Sequence, residues 1–185
     1  MFPKLTPQLI HAVLVAVLLS GATGCVETGG APMQTVAYVD LDRFMGDWYV
    51  IANIPTLIEK GAHNAVESYA RHPDGTIATT FTFNRGACDG PRKVYRPTGF
   101  VLDTQTNARW GMRFIWPIKA DYRVIFLDPE YRLTVIGRAK RDYVWIMART
   151  PELNAAEWER MRAVVAEFGY DPAKLQRVPH CPAPR

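Results

Sequence analysis

The chain has 185 residues and a formal net charge of +4, with 22 Lys and Arg against 18 Asp and Glu. The basic residues are scattered among acids and form no stripe or block, which sets nucleic acid aside as an expected partner. Aromatic residues make up 11% of the sequence, a level that suits a β-protein or an apolar pocket.

The N-terminus reads as an export leader. Lys4 precedes the apolar run Ala12–Leu19, and small residues (Ser20, Gly21, Ala22, Thr23, Gly24) lead into Cys25. A basic start, a short apolar core and small residues at the end make a secretory signal. The run is shorter than the ~20 residues a membrane span needs. Together these features resemble a bacterial lipoprotein signal, with residues 1–24 removed and Cys25 acylated (a palmitate-type chain) as the new N-terminus. Ala22 stands where that pattern prefers Leu, and an ordinary cleaved signal is the alternative. Val26 rather than Asp after the cysteine fits, by the same pattern, lipid anchoring to the outer membrane, facing the periplasm. Residues 25–37 are small, polar and Gly/Pro-bearing, and are expected to be a flexible tether.

The domain is expected over residues 38–185 and opens on a short helical turn around Val39–Phe44. Strands are expected at Trp48–Ile54, Ala65–Arg71, Thr76–Asn84, Val94–Leu102, Ala108–Trp116, Asp121–Leu127, Arg132–Gly137 and Asp142–Arg149. Turn sequences separate them, among them Pro73-Asp74-Gly75, Asp89-Gly90-Pro91 and Asp128-Pro129-Glu130. Eight strands joined by short connections point to an all-β, antiparallel up-and-down barrel, with room for side chains or one small ligand. One helix follows at Ala155–Phe168, ended by Gly169. Its Trp158, Met161, Val165 and Phe168 recur at helical spacing, and Asp142–Ala148 is apolar on both parities. The helix is therefore expected to pack outside the barrel, over the last strand.

Two cysteines remain after Cys25. In an exported chain Cys88 and Cys181 are best read as a disulfide, with free thiols as the alternative. There is no CxxC or HxxxH spacing, so neither a metal nor another cofactor is expected. There is no G-x-S-x-G elbow, and His63, His72 and His180 fall at loops, strand ends or the tail. No catalytic residue is assigned, and the chain is not expected to be an enzyme.

Three motifs stand in order: Gly46-Asp47-Trp48-Tyr49, the segment Phe114–Asp128 and the segment Asp142–Pro151. With the leader, the barrel pattern and the terminal helix, they resemble the lipocalin family, specifically its bacterial outer-membrane lipoprotein branch related to apolipoprotein D. The resemblance implies that Gly46 and Trp48 belong to a barrel-closing motif, with the Arg149 guanidinium laid across the Trp48 indole. It also places Asp121 and Tyr122 at the turn before the sixth strand, at that same closed end.

Arg149 sets a parity. Met147, Trp145 and Tyr143 share its face and climb toward the mouth, so Trp145 is the leading candidate to line a cavity. Val50 and Ala52 follow Trp48. By the same alternation Trp110, Met112, Phe114, Tyr122, Val124 and Phe126 point inward, with Phe81 and Phe83 on the third strand. The resemblance implies a carrier or store of small hydrophobic ligands, fatty acids or lysophospholipids, in the cell envelope. The alternatives are a barrel of this family acting as an enzyme on a lipophilic substrate, or a solidly filled structural lipoprotein. In the latter, Leu57, Ile58, Trp116 and Ile118 would serve a partner or a homodimer contact.

Overall fold

The computed structural model describes residues 32–182. The leader and Cys25 lie outside the described residues. The chain from Pro32 onward forms a compact unit of its own.

That unit starts with a short helix, α1 (Leu41–Phe44), capped by Asp40, whose carboxylate accepts the Asp42 and Arg43 backbone N–H groups. The strands are β1 (Gly46–Ile54), β2 (Ala62–Arg71), β3 (Ile77–Arg85), β4 (Arg92–Tyr95), β5 (Thr98–Val101), β6 (Arg109–Ile115), β7 (Ile118–Leu127), β8 (Leu133–Gly137) and β9 (Val144–Ala148). Each pairs antiparallel with its neighbour, and β9 returns to β1 to close the barrel. β4 and β5 both pair with β3 and are halves of one barrel strand, broken at Arg96-Pro97 where proline supplies no donor. The closed barrel therefore has eight strand positions. Each expected strand is present, and the fourth is interrupted.

Outside the barrel lies α2 (Ala155–Glu167). Asn154 and Glu157 form a capping box: each side chain accepts the other's backbone N–H. Gly169, at φ +80°, ends the helix in a conformation L side chains avoid. Val144, Ile146 and Ala148 of β9 face α2, against Met161 and Val165, while Trp145 and Met147 face the barrel interior. The apolar double parity of that strand is thus used on both sides. A last short strand, β10 (Gln176–Arg177), pairs with Ala52 and Asn53 of β1, where β2 has already parted from β1 after Tyr49. Cys181 then bonds to Cys88 in the β3–β4 loop, with Cα atoms 6.1 Å apart across a separation of 93 residues.

Three expectations change. Residues 33–37 are docked rather than a tether: Met33 is buried against the outer core, and the Val36 N–H donates to the Val124 carbonyl. Asp121 and Tyr122 lie inside β7, because that strand begins at Ile118. The up-and-down order puts the β6–β7 hairpin at the end opposite α1, so these residues mark no closed-end turn. Finally, two β-bulges reverse the parity. Ile51 is inserted between the pairs Val50/Met147 and Ala52/Ile146, and Ile125 between Val124/Ile136 and Phe126/Val135. Ala52 and Phe126 consequently turn outward, toward α2, and not into the barrel.

Candidate functional site

The two ends of the barrel are built differently. At the α1 end, Trp48 is fully buried and donates its indole N–H to the Phe44 carbonyl. The Arg149 guanidinium lies 3.8 Å from the Trp48 ring centroid. Its N–H groups donate to the carbonyls of Arg43, Phe44, Met45, Asp47 and Tyr131. Gly46, at φ +90°, lets the chain turn tightly from α1 into β1 beside that arginine. Above Trp48, the rings of Phe44, Tyr69, Trp110 and Tyr122 pack at centroid distances of 5.0 to 6.4 Å. This aromatic floor seals the barrel.

Over the floor is a cavity of about 370 Å³. Tyr143, Trp145 and Met147 form one wall; Met112, Phe114, Ala120 and Tyr122 form another, with Ile136 between them. Thr56, Leu57 and Ile58 from the β1–β2 loop stand at its rim, and the buried Pro97, between β4 and β5, completes the lining. Most of this surface is apolar, and the volume lies in the range of small-molecule sites.

Of the residues expected to line a cavity, Tyr143, Trp145, Met147, Met112 and Phe114 do so. Val50, Val124 and Trp110 are buried in the packed interior and do not line it. Trp110 stacks on Tyr122 at 5.0 Å and belongs to the floor. Phe81 and Phe83 face inward but stack on Tyr95 of β4, filling that side of the barrel. Phe126 is outside, beneath Arg160 of α2.

The polar groups of the cavity escaped the sequence reading. Trp145 donates its indole N–H to Glu59 Oε1 at 2.8 Å, and Glu59 Oε2 accepts the Thr56 N–H and hydroxyl. The buried Glu59 thereby ties the β1–β2 loop to the cavity wall. Arg138 lines the mouth: its Nη1 is 3.4 Å from Asp142, while its Nε has no hydrogen-bond partner among the described residues. Deepest is Glu67, which pairs across the ladder with Trp48 and therefore points inward. It accepts the Tyr69 hydroxyl, and the Tyr69 and Tyr122 hydroxyls are 2.9 Å apart. Burial raises the Glu67 pKa from 4.5 to about 7, against the opposing effect of the Tyr69 hydrogen bond, with the Glu59 charge adding to the rise. Burial first, and then the Glu67 charge, push the Tyr69 and Tyr122 phenols well up, so both stay neutral donors. Glu67 was detectable: Ala65, Glu67 and Tyr69 share one strand parity, and a carboxylate on the apolar parity is a sign of an inward polar group.

Among the described residues, no helix is long and apolar enough to cross a membrane.

A family model described as "Lipocalin-like domain" matches residues 39–180. Temperature-induced lipocalin-1 of Arabidopsis thaliana is 29% identical over 82% of this chain and 85% of its own. Outer membrane lipoprotein Blc of Escherichia coli K12 is 30% identical over 90% of this chain and 93% of its own. Among solved structures, insecticyanin of the tobacco hornworm Manduca sexta superposes with a TM-score of 0.63 over 79% of this chain and 83% of that one, at 15% identity. That last likeness concerns the fold alone.

Proposed function

Because the chain belongs to the lipocalin family, we propose that its barrel binds a small hydrophobic ligand and carries or stores it without performing chemistry on it. The observation that carries this reading is the apolar cavity of about 370 Å³ above a sealed floor. Each methylene taken from water into such a space contributes ~0.8 kcal/mol. Acyl chains, as fatty acids or lysophospholipids, fit the lining. Arg138 lines the mouth, where its guanidinium charge favours a carboxylate or phosphate. The open cavity weighs against a filled structural barrel.

The compartment is part of the same reading. Blc of Escherichia coli carries the name outer membrane lipoprotein. That similarity and the Cys25 context support acylation there and attachment to the outer membrane on its periplasmic side. Exposed Leu57, Ile58, Trp116 and Ile118 leave a homodimer contact open.

The test is native mass spectrometry of the chain lacking its first 25 residues, titrated with fatty acids and lysophospholipids. Saturable one-to-one binding is expected, weakened about tenfold or more in Trp145→Ala, a loss of ~1.4 kcal/mol. Absence of binding in both classes, or unchanged affinity in the variant, would remove the reading or the residue.

A further inference from the structure

Glu67 sits at the inner end of a cavity whose other lining is mostly apolar. Its Oε2 accepts the Tyr69 hydroxyl; among the described residues no donor reaches Oε1, and no ion pair includes Glu67. The other charged groups of the cavity lining are partnered: Asp121 by Arg123 at 3.0 Å and Arg138 by Asp142 at 3.4 Å. Glu59 behind Trp145 is satisfied by Thr56 and the indole. One acceptor is thus left facing the space where the far end of a ligand must lie. A plain methyl terminus seated there would strip Glu67 of water and return no hydrogen bond, which is costly for any carboxyl group.

We propose that this inner end is a polar subsite, selecting an aliphatic ligand whose buried terminus carries a hydroxyl or similar hydrogen-bond donor to Glu67. The inference rests on the carrier reading above and narrows its ligand class. With Arg138 at the mouth, the matching molecule has polar groups at both ends: an anion outside and a hydroxyl inside. The Tyr69–Tyr122 pair holds Glu67 in place through its second oxygen, leaving Oε1 for the ligand.

The pair dodecanoic acid and 12-hydroxydodecanoic acid isolates this group, since the two differ only at the far end. In a purely apolar cavity the added hydroxyl weakens binding. Here the hydroxy acid is expected to bind the chain lacking its first 25 residues about tenfold tighter than the plain acid. Glu67→Leu should invert that order while still binding dodecanoic acid. Equal affinities, or tighter binding of the plain acid, would overturn the subsite and leave the carrier reading standing. A hydroxy-acid preference that survives in Glu67→Leu overturns it too. No binding of either acid instead counts against the carrier reading itself. If Glu67→Leu does not fold, the ratio measured in the unsubstituted chain decides alone.

Discussion

The closed and open ends of the barrel use similar residues to opposite ends. At the closed end the Arg149 guanidinium donates to five carbonyls, and the Trp48 indole N–H donates to the Phe44 carbonyl. Neither group is left for a ligand. At the open end aromatic and aliphatic groups stand free, with Trp116 at 78% and Leu57 at 81% exposure. Between them, Glu67 keeps one acceptor unused among the described residues, and Arg138 brings a positive charge to the lining. Saturation makes a floor, and incomplete saturation beside apolar surface makes a site.

The comparison breaks most sharply at Trp48. Trp48→Ala removes a fully buried indole beneath the Phe44 ring and strands Arg149 over a void. The expected loss is about 3–5 kcal/mol of stability, read as a lower urea midpoint. The ranking of ligands by affinity should stay the same, because Trp48 does not line the cavity. A stable variant with altered ligand ranking would show that the floor takes part in binding.

Glu67 gives the next largest effect, and its sign follows from burial. In the folded chain Glu67 holds its proton to about pH 7, while its ordinary value is 4.5. The folded state therefore binds more protons across that interval. Stability should fall as pH climbs from about 4.5 to about 7 and level off above it. Glu67→Gln removes this term. The variant should match the parent near pH 4.5 and exceed it at pH 8 by up to about 3 kcal/mol. Denaturation curves across this range check it; a difference that does not change with pH would mean that Glu67 is solvated in the folded state.

The barrel-closing pair Trp48 and Arg149 was legible in sequence, while the aromatic rings above it and about half of the cavity were not, and the reason is local. Trp48 and Arg149 are placed by motif and strand end, which survive small shifts in pairing. Inward residues farther along were derived by strict alternation from those anchors. Alternation holds for Tyr143, Trp145 and Met147 because no irregularity lies between them and Arg149. It fails for Ala52 and Phe126 because one inserted residue in β1 and one in β7 reverse every later side chain. Alternation also cannot separate inward residues that fill the barrel from those that border open space. Phe81, Phe83 and Trp110 point the right way, yet other rings cover them. Glu59 was unreadable for a different reason: a buried carboxylate in a loop is recognisable only once Thr56 and Trp145 are seen to satisfy it.

The smallest effect is expected at the mouth. Leu57 and Trp116 sit in separate connections at the open end and belong to neither packed cluster. Their apolar surface is already in water in the folded chain, so replacing it costs the fold little. The double variant Leu57→Ser, Trp116→Ser should therefore unfold within about 0.5 kcal/mol of the parent. The same pair of serines at buried apolar positions would cost several times more, through lost burial and unpaired hydroxyls. A drop above about 1 kcal/mol in the urea midpoint analysis would mean that the mouth is packed against something in solution, and the contrast with the floor would then be one of partner and not of saturation.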